Sequence, residues 1–204
     1  MRQQRSSSET YIDEALTVSL LNFAEQSGEG EIDRLRLQKL VFLVTHDWFT
    51  KRWKGFNYSF FRYRRGPFTK DLYQTEIDLA QAGLIDCDRN WTIRLTDSGE
   101  ELAAALNELW FSDDNSLFGE SLRATVRDYS CFSTKDLLAK VYEMEVVPLG
   151  WRESASLAEV PIGVDLTRIL EENEAVNSLD VSSEWLDTIA SYVVFPLHDQ
   201  EATQ

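Results

Sequence analysis

Three signals follow one another between residues 34 and 99, and their order limits the fold more than any other feature of this chain. Apolar residues at helical spacing come first, over residues 34–44, and an aromatic and basic stretch then ends at residues 64–68. A second helical pattern runs to residues 83–85, before two short strand patterns and the sequence Leu-Thr-Asp-Ser-Gly at residues 95–99. This order predicts a mainly α (α+β) fold: a winged-helix-like core with a small β-hairpin and additional C-terminal helices.

The spacing of apolar residues and the capping residues give approximate bounds for the elements. Asp33, Thr69, Thr96 and Ser133 are predicted to cap four of the helices. A short strand is expected over residues 57–65, ended by Gly66-Pro67, and a hairpin over residues 84–95. The predicted helices span residues 9–26, 34–48, 69–83, 96–111, 133–143, 165–175 and 183–193.

Composition suggests three regions in a chain of 204 residues. Residues 1–8 are polar and Ser-rich and are expected to be a disordered N-terminus. Residues 9–147 form the predicted winged-helix/helical domain, and residues 148–204 form an acidic helical C-terminal extension. No apolar run is long enough to span a membrane, and no apolar stretch follows the charged start of the chain, so neither a membrane segment nor a secretory signal is expected. Two cysteines fit a reducing compartment, so the expected location is cytoplasmic.

Charge is distributed unevenly along the chain. The net charge is −15, but residues 1–75 hold 12 Lys and Arg against 9 Asp and Glu, whereas residues 76–204 hold 8 against 26. The bases concentrate between residues 48 and 70, a segment without any acid that we call the basic stretch. This asymmetry indicates a basic patch for an acidic partner or self-association through opposite faces, unless the acidic half serves only solubility.

A winged helix normally reads duplex DNA with its second helix in the major groove, and the charges here oppose that role. The inward face of the helix at 69–83 is predicted to carry Leu72, Tyr73, Ile77, Ala80 and Leu84. Its exposed face is then predicted to carry one base and three acids, which phosphates would repel. Those exposed residues are Lys70, Asp71, Gln74, Glu76, Asp78 and Gln81.

The basic stretch supports two interpretations. Its aromatic residues alternate with bases, as in proteins that stack single-stranded nucleic acid on aromatic rings. So many aromatic residues beside a buried helix are equally expected to pack in the core, with the Arg and Lys heads reaching outward.

Candidate catalytic residues are few. His46 and His198 are the only histidines, and neither has metal-ligand spacing to Cys87 or Cys131. A Cys131–His198 nucleophile pair is permitted by the sequence, but any chain with these residues would permit it. No Gly-rich phosphate loop or nucleophile elbow is present. The sequence therefore predicts no enzyme, no cofactor and no metal site.

Four segments carry a resemblance to a known family: residues 37–43 (Leu-Gln-Lys-Leu-Val-Phe-Leu), 65–69 (Arg-Gly-Pro-Phe-Thr), 79–85 and 133–142. In this order they resemble the Panacea family, the SocA-like antitoxin domain with related YwgA-type bacterial proteins. The likeness covers roughly residues 10–147, and the acidic segment 148–204 extends past the usual domain. It implies a mostly helical, winged-helix-like fold and a protein-binding antitoxin or adaptor of toxin–antitoxin, phage or defence loci. It supplies no catalytic residues.

The sequence as a whole predicts a module that masks a protein partner, a toxin or defence effector, without catalysis. The alternative is a nucleic-acid-binding transcriptional regulator that uses residues 51–70. Neither interpretation specifies the oligomeric state, and neither involves a membrane. The candidate partner-binding residues are Lys51, Arg52, Lys54, Arg62, Arg64, Arg65, Phe68, Lys70, Trp151 and Trp185.

Overall fold

The computed structural model describes residues 5–28 and 32–194, and in these residues the chain is mainly helical with four small sheets. Helices α1 and α2 lie at the centre, because nearly every residue in the middle of each is buried. The helices are α1 (Ser7–Gln26), α2 (Arg34–Thr50), α3 (Asp71–Gln81), α4 (Asp97–Trp110), α5 (Ser116–Tyr129), α6 (Thr134–Glu143) and α7 (Ser183–Val194).

Polar side chains fix several helix starts. The Asp33 carboxylate accepts a hydrogen bond from the Arg36 amide at 2.8 Å, and Thr96 and Ser133 cap α4 and α6 in the same way, as predicted. The expected disorder of residues 1–8 is wrong for residues 5–8, because Ser6 forms a capping box that starts α1. Residues 1–4 lie outside the described part of the chain.

Helix α3 differs from its prediction in both its start and its buried face. Lys70 precedes it without a side-chain cap, and the Thr69 hydroxyl instead accepts from the Asp71 amide at 3.3 Å. The buried positions are 72, 75, 76 and 79, so Glu76 faces inward and Ile77 is 46% exposed. Ala80 is exposed as well, so the predicted inward positions of Ile77 and Ala80 and the predicted outward position of Glu76 were wrong.

A three-stranded antiparallel sheet, ordered β1-β6-β5, joins distant parts of the chain. Strands β5 (Ile85–Cys87) and β6 (Thr92–Leu95) form the predicted hairpin. Strand β1 (Ile32–Asp33) pairs with the other edge of β6, placing Ile32 opposite Ile93. The start of α2 therefore lies beside the tip of the hairpin.

The end of the basic stretch forms a second antiparallel pair. Strand β3 (Phe61–Tyr63) pairs with β4 (Gly66–Phe68), so Arg64 and Arg65 occupy the turn between them. The predicted strand at 57–65 was too long, and Gly66-Pro67 begins a strand instead of ending one. Gly66 has φ +89°, a backbone conformation that favours glycine.

Residues 148–194 fold against the rest of the molecule. The helix predicted at 165–175 is wrong: this segment is extended, with a bridge between Phe61 and Asp165 and a 3-10 turn at Glu172–Glu174. Two more short pairs involve it: β7 (Glu145–Val146) with β8 (Ala155–Ser156), and β2 (Trp53–Lys54) with β9 (Asn177–Ser178). The predicted final helix is confirmed as α7, which contacts α1 and α4.

Candidate functional site

The first half of the basic stretch is neutralised within the molecule. The Lys54 ammonium lies 2.9 Å from the Glu9 carboxylate and 3.2 Å from that of Glu172. The Arg52 guanidinium donates to the backbone carbonyl of Glu174 at 2.8 Å. Acidic residues of the C-terminal segment therefore lie directly against this end of the basic stretch.

Two further bases also have internal partners. Lys51 forms an exposed ion pair with Asp47 at 2.7 Å. Arg62 is buried: its Nε donates to the Leu157 carbonyl at 3.2 Å, and its guanidinium lies 4.9 Å from the centre of the Tyr142 ring. Four of the seven predicted contact bases thus stabilise this chain's own fold.

The remaining part of the basic stretch borders a cavity of about 570 Å³ between the start of α2, the β3–β4 turn, α3 and the tip of the β5–β6 hairpin. We call it the basic aromatic groove. Its cationic side chains come from α2 and from the β3–β4 turn. Its aromatic rings come from the β3–β4 hairpin, from α3 and from the tip of the β5–β6 hairpin. The residues that define it are Arg34, Lys39, Arg64, Arg65, Tyr63, Phe68, Tyr73 and Trp91.

Exposed and buried cations both contribute to the groove. Arg64 and Arg65 are exposed in the β3–β4 turn, and neither forms an ion pair with an acid of the described residues. Lys39 is only 2% exposed, and its Nζ donates to the Pro67 carbonyl at 2.5 Å. Burial, with a smaller effect from the Arg62 cation, lowers the pKa of Lys39 to about 7.

Arg34 links three walls of the groove. Its Nε lies 2.5 Å from Oε2 of the buried Glu76, while its guanidinium carbon lies 4.3 Å from the centre of the Trp91 ring and 5.0 Å from that of Tyr73. Burial raises the pKa of Glu76 to about 7, although the Arg34 cation opposes this shift. Glu76 therefore holds Arg34 in place from beneath.

The aromatic wall is continuous from the β3–β4 hairpin to α3. The Phe68 ring centre lies 5.4 Å from that of Tyr63 and 5.3 Å from that of Tyr73. Across the groove, Trp91 sits at the hairpin tip with φ 65° and is 57% exposed. A positive φ is uncommon for a residue other than glycine, and such backbone positions cluster at functional sites.

The structure separates the ten predicted contact residues. Arg64, Arg65 and Phe68 line the groove, and Lys70 is exposed just before α3 without lining it. Trp151 is 42% exposed in a turn of the C-terminal segment, whereas Trp185 is half-buried on α7 and packs against the core.

Five groove residues were not among the predicted contact residues: Arg34, Lys39, Tyr63, Tyr73 and Trp91. Arg34 and Trp91 are 57 positions apart, and only the β1–β6 pairing brings them together, with the Arg34 amide 3.3 Å from the Trp91 carbonyl. One local signal could have identified Trp91. It follows the polar residues of a predicted turn, where a large aromatic side chain is expected to be exposed and not packed in the core.

The exposed sides of α4 and α7, two helices that contact each other, carry a distinct charge. Neither residues 95–122 nor residues 169–194 contain any Lys or Arg. The two helices expose acids that form no ion pair with a described base. We call this surface the acidic face; its carboxylates are those of Asp97, Glu100, Glu101, Glu108, Glu184 and Asp187.

Candidate catalytic groups are not brought together in the described part of the chain. His46 is half-buried beside Phe42, and burial lowers its pKa. Cys87 and Cys131 are exposed free thiols, and His198 lies outside the described residues, so the Cys131–His198 pair has no structural description. Residues 5–28 and 32–194 hold no cluster of three potential metal ligands. They also include no helix of the length and apolarity needed to cross a membrane.

Comparison of the chain with protein-family models, with curated proteins and with solved structures gave no match. The resemblance to the Panacea family therefore remains a prediction from the sequence motifs.

Proposed function

We propose that this chain is a non-enzymatic module that binds a basic protein partner through the acidic face. In keeping with its sequence resemblance, its role would be that of a type II antitoxin or adaptor that neutralises or regulates a toxin or defence effector. The observation that carries this proposal is the pairing of α4 with α7, which places two base-free segments side by side.

Charge of one sign on adjacent helices favours a partner of the opposite sign, because complementary potentials steer the encounter and fix its orientation. Toxins that act on nucleic acid carry basic surfaces, and the carboxylates of Glu100, Glu108 and Glu184 would occupy the positions of phosphates. The ion pairs of Lys54 with Glu9 and Glu172, and the burial of Arg62, support this proposal, since these two bases are then not available as a competing basic surface.

The test is co-expression with the protein encoded by the neighbouring gene, followed by size exclusion and affinity measurement at low and high salt. A triple variant, Glu100→Gln with Glu108→Gln and Glu184→Gln, should bind about tenfold more weakly or worse, because it removes three charges from one surface. High salt should weaken the wild-type complex as well.

A matched control removes the same charge elsewhere. Glu145, Glu153 and Glu159 are exposed and lie outside the acidic face, so their replacement by Gln should leave the affinity nearly unchanged. Absence of co-elution at either salt concentration, or equal weakening by the two triple variants, would reject the proposal.

We further propose that residues 7–110 form a winged-helix-like unit. Support comes from the order of α1, β1, α2, α3, β5 and β6, and from the sheet order β1-β6-β5, with residues 51–70 inserted between α2 and α3. Helix α3 carries no Lys or Arg, which disfavours duplex reading by that helix.

The alternative function is that of a nucleic-acid-binding regulator. Lys51, Arg52, Lys54 and Arg62 already have partners within the chain, so a nucleic acid would have to contact the bases at the groove end of the basic stretch. Reversing Arg64 and Arg65 to Glu should abolish retention of DNA or RNA if this alternative holds. A wild-type protein that shifts no probe would reject it.

A further inference from the structure

The basic aromatic groove stands out by its charge. The chain carries a net charge of −15, yet one concave region gathers Arg34, Arg64 and Arg65. Asp33, the acid among the described lining residues, caps α2 through the Arg36 amide, and its single negative charge does not balance the three arginines. A local excess of cations in a concave site of an acidic protein favours a specific anionic ligand.

The rings restrict the class of anion further. Arg34 lies against Trp91 and is itself held by Glu76, so the indole has a fixed support while more than half of the residue stays exposed. Tyr73 lies on the other side of Arg34. A carboxylate or a free phosphate would use the cations and leave these planar surfaces without a partner.

We propose that the basic aromatic groove binds a nucleotide, with its phosphate on Arg64 and Arg65 and its base stacked on Trp91. A cavity of about 570 Å³ lies within the range typical of small-ligand pockets. Arg and Lys beside aromatic rings are the combination that binds a phosphate and an unpaired base together. A duplex does not fit this site, because its bases are already stacked on each other.

Lys39 and Asn90 complete the assignment. Lys39 forms part of the groove wall beside Gly66; its buried amine donates to the Pro67 carbonyl, so the phosphate is left to the two arginines. Asn90 precedes Trp91 at the hairpin tip and offers an amide for the edge of a base. The same chemistry serves a free mononucleotide or one unit of a single strand, and this inference does not depend on the protein-partner proposal.

The experiment titrates the full chain with five probes by calorimetry: adenosine monophosphate, adenosine, inorganic phosphate, a single-stranded hexathymidylate and an acidic hexaglutamate peptide. The monophosphate should bind at least tenfold more tightly than adenosine or phosphate alone, because only it engages both the cations and the ring. Binding of hexathymidylate with no binding of the monophosphate assigns the strand as the source of the nucleotide.

Three variants and one control locate the site. Arg64→Gln and Arg65→Gln should each weaken nucleotide binding about tenfold, since each loses a charge-assisted contact. Trp91→Asn removes the ring but keeps a residue that tolerates positive φ, so a similar loss reports stacking and not misfolding. Arg127→Gln removes an exposed cation on α5 and should leave binding unchanged.

Three results would overturn the inference: no binding of either nucleotide probe at millimolar concentration, equal losses in Arg65→Gln and Arg127→Gln, or full binding by Trp91→Asn. Binding of an acidic hexaglutamate peptide as tightly as the monophosphate would also overturn it, because that result would show a general anion site without base stacking.

Discussion

At the scale of single residues, three buried carboxyl groups differ in how well they are compensated. Asp13 accepts from the Arg5 guanidinium at 2.8 Å and from the Asn57 amide at 2.7 Å. Glu76 and Glu14 each have one buried oxygen without a hydrogen-bond partner among the described residues, but Glu76 has an ion pair with Arg34, whereas Glu14, which is 2% exposed, has none with a described base. Glu14 is therefore the least supported of the three when it is ionised.

We expect Glu14→Gln to stabilise the protein increasingly as the pH rises. Burial, with the nearby charges of Asp78 and Asp13, raises the pKa of Glu14 to about 7. Between the unfolded pKa near 4 and this value the native state binds the extra proton, so the wild-type free energy of unfolding falls as pH rises through that window. The variant escapes this loss and should gain about 2 kcal/mol relative to wild type by pH 8.

Urea denaturation at pH 4, 6 and 8 measures this difference. Glu120→Gln, an exposed replacement on α5, serves as the control and should give nearly the same small effect at each pH. A Glu14→Gln effect that does not change with pH would contradict the assigned burial of an ionisable group.

Residue-level prediction from the sequence failed where a polar side chain has a distant partner. Apolar spacing alone turned Ile77 inward on α3, yet the buried neighbours are Glu76 and Thr75. Glu76 is compensated by Arg34, and the Thr75 hydroxyl lies 3.0 Å from that of Tyr58. Hydropathy cannot identify such pairs, because each partner comes from another part of the chain.

At the scale of elements, the junction between α3 and α4 depends on close approach of two backbones. A Cβ added to Gly99, in the first turn of α4, would lie 2.1 Å from the Leu84 carbonyl oxygen. Thr96, which caps α4, also donates to the Gly83 carbonyl at 2.6 Å. The first turn of α4 therefore packs directly against the backbone of Gly83 and Leu84, which follow the end of α3.

We expect Gly99→Ala to destabilise the protein by about 2–3 kcal/mol, measured by thermal or urea denaturation. Helix propensity alone would predict a gain of about 1 kcal/mol for the same change, so the sign of the effect separates the two explanations. Ser98→Ala, at the exposed neighbouring position, should change stability little. A stabilised Gly99→Ala protein would disprove the close approach.

Elements with local signals were predicted well, and those formed by distant pairing were not. Caps at Asp33 and Thr96 marked α2 and α4 correctly. The segment 165–175 is extended because its backbone pairs with residues 60–62: the Leu166 amide donates to the Phe60 carbonyl at 2.8 Å. Helix α5 was missed, although Phe118, Leu122 and Val126 recur at intervals of four residues on its buried face.

At the scale of the whole molecule, residues 148–194 complete the same hydrophobic core that α1 and α2 begin. Leu157, Val160, Leu166 and Ile189 are all buried in it. Asn115 ties this segment to the α4–α5 turn: its amide nitrogen donates to the Asp180 carbonyl at 2.7 Å, and its amide oxygen accepts from the Asp180 amide at 2.9 Å.

We expect Asn115→Ala to lower the free energy of unfolding by about 2 kcal/mol, because it removes the hydrogen bonds of a buried side chain to the backbone of Asp180 and Leu109. The loss should appear in one cooperative urea transition and speed hydrogen exchange at the Asp180 amide. Asn173→Ala, at an exposed position of the same segment, is the control. Unchanged exchange at Asp180 would contradict the role assigned to Asn115.

The candidate site, like the C-terminal segment, was only partly predictable, because part of it is formed by pairing between segments that are distant in the sequence. The turn with Arg64 and Arg65 is local and was recognised as basic. Arg34 and Trp91 form the facing wall, and they are brought together by the pairing of β1 with β6. Nothing in the residue pattern of a single sequence shows that these two strands pair.

The backbone bonds between residues 60–62 and 163–167 have a consequence during synthesis. A ribosome releases residues 60–62 long before the segment that pairs with them, so Arg62 and the Phe60 carbonyl must wait for partners made more than 90 residues later. During that interval the nascent chain presents the Arg62 side chain and an open strand edge without their native partners. The pairing of residues 60–62 therefore cannot be completed before residues 163–167 have been synthesised.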